Sequence, residues 1–254
     1  ITAAGHALSG KDSVRIADGT FILTAEKDGI HAENADDEEK GYIYIADGDF
    51  TITSDGDGMD ASNIVQIEDG TLDIKAGGGA ANSLKTHESD MPGGGMSQNI
   101  ERPDGESMPQ DTTTDESGTS TKGIKAGGGM YLNGGTYQID SADDSIHSNA
   151  NITIADGTYT LATGDDGVHA DDALTVNGGT ITVTESYEGL EGLTVTINDG
   201  TIDITARDDG INTAGGTDQS GFGTFGDHFK GMDSADDETE ETTDNEMWME
   251  LNGG

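Results

Sequence analysis

The residues best placed to do chemistry stand at one position of a recurring motif, acid-Gly-apolar. It appears as Asp28-Gly29-Ile30, Asp57-Gly58-Met59, Asp166-Gly167-Val168, Glu188-Gly189-Leu190 and Asp209-Gly210-Ile211, with Lys122-Gly123-Ile124 and Asp144-Ser145-Ile146 as variants. Asp143, Asp165 and Asp208 double the acid in their repeats. If successive repeats stack at the ~4.8 Å spacing of paired strands, these side chains form a ladder. Like charges at that distance repel by ~1 kcal/mol in water and ~3.5 kcal/mol at an effective dielectric of ~20. Over several rungs that rivals the net stability of a domain. Either a cation sits between the rungs, or the carboxylates splay into water and Asp-Asp-Gly is simply good turn chemistry. Oxygen donors without cysteine favour Ca²⁺ over zinc or copper. The expected calcium ligands are Asp143, Asp144, Asp165, Asp166, Glu188, Asp208 and Asp209, with Asp28 and Asp57 earlier in the chain. The spacing is neither an EF-hand loop nor the RTX nonapeptide.

Three residues after each ladder position stands a second column: His31, Asp60, Lys125, His147, His169, Glu191 and Asn212. Its bases and imidazoles suit an anionic ligand. Lys122 and Lys125 are expected to pair with ligand carboxylates, and His31, His147, His169 and Glu191 to complete a groove.

The elements that position these columns follow from a turn that ends in glycine, usually followed by threonine. It closes at Gly19, Gly48, Gly70, Gly135, Gly157, Gly179, Gly200 and Gly254, at intervals of 29, 22, 65, 22, 22, 21 and 54 residues. A period of about 22 leaves inserts around residues 34–40, 77–121 and 215–245. Within one period the apolar residues alternate, as in Leu174-Thr175-Val176, Ile181-Thr182-Val183 and Leu190-Glu191-Gly192, which predicts three short strands. Each is too narrow to bury its apolar face alone, so the repeats must stack. The fold expected is all-β: a right-handed single-stranded parallel β-helix, three short strands per coil of about 22 residues, as one domain over 1–254 with long loop inserts. Right-handedness follows from the strong bias of parallel crossovers. Phe21, Phe50, Leu72, Tyr137, Tyr159, Ile181 and Ile202 form one inward column; Ile30, Met59, Ile124, Ile146, Val168, Leu190 and Ile211 form another. Most aromatic residues are thereby assigned to the core. The outward column of the first strand, Arg15, Tyr44, Gln66, Tyr131, Thr153, Thr175, Thr196 and Glu250, reads as plainer than the histidine column. Unfinished coils at Ile1 and Gly254 suggest a longer chain and raise end-to-end self-association.

The chain has 51 acidic and 11 Lys or Arg residues, a net charge of −40, and no cysteine. Such charge excludes a nucleic-acid binder that works through phosphate contacts and opposes an anionic membrane as partner; no apolar run is long enough to span a bilayer. An acidic protein needing Ca²⁺ fits an extracellular or cell-surface location.

Lys122-Gly-Ile-Lys-Ala-Gly-Gly, Ser141-Ala-Asp-Asp-Ser-Ile-His-Ser, Gly164-Asp-Asp-Gly-Val-His-Ala-Asp, Ser186-Tyr-Glu-Gly-Leu-Glu-Gly and Gly5-His-Ala-Leu-Ser-Gly-Lys-Asp resemble the clostridial carbohydrate-binding domain family of bacterial surface proteins. The resemblance covers nearly the whole chain outside the large inserts. It implies a pectate-lyase-like right-handed parallel β-helix with bound Ca²⁺, and binding of cellulose and acidic sugars such as polygalacturonate without established catalysis. The function expected is therefore non-catalytic, Ca²⁺-dependent binding of an acidic polysaccharide. Two alternatives stay open: a Ca²⁺-dependent polysaccharide lyase with Lys125 as base, and a structural rod built by end-to-end stacking.

Overall fold

A computed structural model describes residues 1–34, 36, 37, 39–84, 120–213 and 247–253. The inserts around 77–121 and 215–245, and the turn at Gly254, lie largely or wholly outside the described residues.

Every turn glycine from Gly19 to Gly200 adopts positive φ, between 89° and 142°, where a side chain would be strained. At Gly19, Gly48, Gly70, Gly157 and Gly200 the preceding Asp or its equivalent caps the turn, its Oδ1 accepting the glycine N–H at 2.7–2.8 Å. The turn sequence therefore sets the corner and satisfies its own backbone.

Between corners the chain is all-β among the described residues, apart from a 3₁₀ turn over Ala80–Asn82. Every strand pairing among the described residues is parallel, and each strand between the end repeats bonds to its counterpart one repeat before and one repeat after. The second strands of successive repeats make an eight-stranded sheet from Thr2–Ala3 to Thr201–Ile204. First and third strands make the other, fourteen-stranded sheet. They are separate in most repeats but fuse in Val168–Val176 and Leu190–Ile197. Between these two strands the register shifts at Ala170/Ala173, where the repeat is one residue shorter. The chain thus winds as a solenoid-like stack of parallel coils.

The register reproduces both expected inward columns. Phe21, Phe50, Leu72, Tyr137, Tyr159, Ile181 and Ile202 follow one another across the smaller sheet. Ile30, Met59, Ile124, Ile146, Val168, Leu190 and Ile211 do so in the larger. Phe21 stacks on Phe50 at 4.9 Å and Tyr137 on Tyr159 at 4.5 Å. The buried phenols are satisfied by turn carbonyls, Tyr137 donating to Gly134 at 2.8 Å and Tyr159 to Asp156 at 2.9 Å.

The motif glycines serve close approach rather than unusual φ. A Cβ at Gly29, Gly58, Gly123 or Gly189 would collide with the carbonyl of the next coil and with the Cγ2 of an isoleucine: Ile52, Ile74, Ile139 and Ile204 respectively. Ser145 holds the same motif position, its hydroxyl 3.2 Å from that of Ser141, and Leu161 stands where the other repeats carry the isoleucine.

Candidate functional site

The ladder forms, and its charge is managed by the protein's own groups. In four of the six acids one oxygen accepts the backbone N–H of the ladder residue one coil on. Asp28 Oδ1 takes Asp57 N–H at 3.0 Å, Asp57 Oδ1 takes Lys122 N–H at 2.7 Å, Asp144 Oδ1 takes Asp166 N–H at 3.1 Å, and Asp166 Oδ1 takes Glu188 N–H at 3.2 Å. Lys122 breaks the series, since an ammonium cannot accept. At that rung Asp143 Oδ1 substitutes and takes the Asp144 N–H at 3.0 Å. Lys122 Nζ in turn donates to Asp144 at 2.6 Å and Asp143 at 3.1 Å.

The second carboxylate oxygen turns toward the histidine column. Asp144 Oδ2 lies 2.9 Å from His147 Nδ1, and Asp166 Oδ2 lies 3.1 Å from His169 Nδ1. The far ring nitrogens meet Asn149 at 3.0 Å and Asp171 at 3.4 Å. Asp28, His31 and Glu33 repeat the arrangement, at 2.9 Å and 3.4 Å. The unit is therefore Asp-x-x-His-x-(Glu, Asn or Asp), repeated down one edge. Its last member has no apolar partner to announce it, and the sequence pattern did not single it out.

Burial changes how the edge can act. Lys122 is 1% exposed and His147 and His169 are 4% exposed. Carboxylates lie against both imidazoles, and Lys122 is held between Asp143 and Asp144 within the ladder. Lys125, Glu191 and His31 are partly exposed and stay in the same column as expected, Lys125 pairing with Asp60 and His147 on the adjacent strands. Lys125 Nζ lies 3.9 Å from both Asp57 and Asp60. Glu188 accepts from Asn212 at 2.8 and 2.9 Å. Asp208 and Asp209 are exposed.

Protonation follows the same neighbours. Burial, reinforced by Asp60 and Asp28, pushes Asp57 up to about 7. Burial does the same for Asp166 and Glu188, each to about 7. The close carboxylates of Asp28 and Asp60 carry His31 up to about 10. Burial opposes the charge on His169, but bonds to Asp166, Asp171 and Glu191 outweigh it and hold the imidazole well above its ordinary range. Glu191 and Asp28 are lowered although burial works against it, since the bond to a histidine prevails in each.

Two kinds of metal donor set result. Asp143, Asp144 and Asp165 bring three carboxylate oxygens within 4.8 Å of one another, a hard-oxygen set whose chemistry fits calcium, although Lys122 already lies against two of them. The other groupings contain imidazole: His6, Asp28 and His31; Asp144, His147 and His169; and Asp166, His169 and Glu191.

A second face carries guanidinium, aromatic and amide side chains in one column. Arg15, Tyr44, Gln66 and Tyr131 stand in register on consecutive rungs of the first-strand column. Arg15 and Tyr131 are exposed, and the Arg15 guanidinium lies 5.9 Å from the centre of the Tyr44 ring. A cavity of about 240 Å³ opens here, lined by Arg15, Tyr44 and Gln66 with Glu39, Tyr42 and Asn63. The column was legible as a list but read as plain, because nothing in its spacing separates exposed tyrosine from core tyrosine.

No curated protein and no solved structure matches the chain. The family described as carbohydrate-binding domain-containing protein matches residues 1–167 and 165–227. With most of its length covered, and with the motifs that suggested the family now seen to build one continuous stack, the chain belongs to that carbohydrate-binding domain family.

Proposed function

We propose that the protein is a non-catalytic, extracellular or cell-surface module that binds an acidic, polygalacturonate-like polysaccharide, with cellulose as a second ligand, on a calcium-stabilised right-handed parallel β-helix. Family membership supports the ligand class. The observation that carries the site is the column Arg15, Tyr44, Gln66 and Tyr131. Tyr44 and Tyr131 are two rungs apart, roughly 9.5 Å at ordinary strand spacing, comparable with a disaccharide repeat of an extended glycan. Their rings offer apolar faces to pyranose C–H groups, Gln66 between them can meet a hydroxyl, and Arg15 can pair with a uronate carboxylate in bidentate fashion. Loops and flat faces on a rigid scaffold suit such recognition.

Calcium enters this reading as a structural ion. Asp143, Asp144 and Asp165 are 5%, 0% and 6% exposed, so an ion there would hold coils together and would not bridge to a sugar. The right hand of the coil rests on the bias of parallel crossovers.

The test is binding of the intact chain to polygalacturonate and to cellulose, with and without Ca²⁺, by calorimetry. Tyr44→Ala and Tyr131→Ala should each weaken binding about tenfold, equal to about 1.4 kcal/mol. Affinity untouched in both, with loss in Lys125→Ala, would move the site to the third-strand face. Ultraviolet-absorbing unsaturated product from polygalacturonate would replace binding by lyase chemistry.

A further inference from the structure

The His6–Asp28–His31 grouping differs from the other Asp–His pairs, and the difference points to a ligand. His6 occupies the ladder position of the first coil, two residues before Leu8, as Asp28 stands two before Ile30. Its Nδ1 lies 2.9 Å from Asp28 Oδ2, and His31 Nδ1 lies 2.9 Å from the same oxygen. Asp60 Oδ2 reaches His31 Nδ1 at 3.3 Å. The two imidazoles stack with centroids 4.0 Å apart.

At His147 and His169, Nδ1 makes a regular hydrogen bond to its aspartate. His31 Nδ1 does not. It is shielded from solvent and has no hydrogen bond of proper geometry, although two carboxylate oxygens lie close by. Its other nitrogen faces Glu33 at 3.4 Å, the kind of outer carboxylate that holds the proton on the far nitrogen of a metal-bound histidine. At His6, the backbone N–H of Asp28 is directed at Nδ1 at 3.4 Å, which places a lone pair there. The near nitrogens of the two imidazoles and Asp28 Oδ2 thus converge, all within 4.8 Å of one another. A divalent cation bound there would satisfy all three donors at once.

The two contacts of 2.9 Å are close to the edge of a tetrahedron whose metal–ligand bonds are roughly 2.0–2.1 Å. Mixed imidazole and carboxylate donors suit a borderline divalent ion such as Zn²⁺, and suit Ca²⁺ poorly. Outside the cluster, Lys125 approaches the opposite oxygen of Asp60 at 3.9 Å. The geometry points to a transition-metal site formed by His6, Asp28 and His31, with Asp60 and Glu33 as outer partners. It tethers the first coil to the next, and it stands whether or not the sugar reading holds.

The test uses the intact chain without a histidine tag, stripped by chelator and titrated with Co²⁺. One Co²⁺ per chain should give the intense visible absorption of a tetrahedral ion, displaced by Zn²⁺ and untouched by excess Ca²⁺. His6→Asn and His31→Asn should each lose that absorption, while His169→Asn keeps it. Only the weak spectrum of octahedral Co²⁺ on the wild-type chain would overturn the site. So would tetrahedral absorption that persists in the His6→Asn, His31→Asn double variant. Circular dichroism of each variant confirms that loss of signal is not loss of fold.

Discussion

Lys122 shows how one side chain decides the character of the ladder. Among six acids in the motif position it is the single base, and it is nearly inaccessible. Its ammonium stands between Asp143 and Asp144, while its backbone N–H satisfies Asp57. Removing one partner of a buried ion pair leaves the other charged and unpaired, which costs about 3–5 kcal/mol. Lys122→Met should therefore destabilise the protein by that order in urea unfolding. Adding Asp144→Asn should recover part of the loss, because it removes the stranded charge. An additive double variant would show that the pair does not act as a unit. The buried tyrosines make a smaller point. Tyr137→Phe leaves the Gly134 carbonyl without its donor and should cost about 1 kcal/mol, measured the same way.

At the scale of the strand and its corner, the two classes of glycine do different work, and only one is conformational. Gly58 sits where the next coil's carbonyl, at Gly123, and the Ile74 methyl leave no room for Cβ. Gly210 occupies the same motif position with nothing within 4 Å. Gly58→Ala should destabilise by about 1–3 kcal/mol through overpacking, whereas Gly210→Ala should be close to neutral in the same unfolding assay. Equal costs at the two sites would mean that the glycines answer to backbone conformation and not to contact between coils. The elements themselves were legible because alternation, turn glycines and a fixed period all specify one register. Phe21 on Phe50 and Tyr137 on Tyr159 follow from counting alone. The site was less legible, since period fixes which residues share a column but not which way a long side chain folds. Lys122 and His147 stand in the columns expected of them, yet neighbouring carboxylates draw both inward. His6 escaped notice because imidazole replaces acid at its rung. Glu33, Asn149 and Asp171 belong to the edge only through distances that cross the corner.

For the molecule as a whole, the question is how a chain of net charge −40 holds so many acids in line. Three answers act at different ranges. Backbone N–H groups and imidazoles compensate individual carboxylates at hydrogen-bond distance. Monovalent salt screens charges farther apart than a Debye length, about 10 Å at 0.1 M, and so relieves the general repulsion while leaving adjacent rungs untouched. A calcium ion at Asp143, Asp144 and Asp165 would act locally and only on the folded chain. Binding to the folded state alone raises stability by about 2.7 kcal/mol at a hundred times the dissociation constant. Ca²⁺ should accordingly raise the unfolding temperature of chelator-treated protein well beyond NaCl of matched ionic strength, and Asp165→Asn should abolish the excess while leaving the salt response intact. If matched NaCl reproduces the whole shift, calcium is a screening ion here. The ladder would then be held by Lys122, the histidines and the backbone alone.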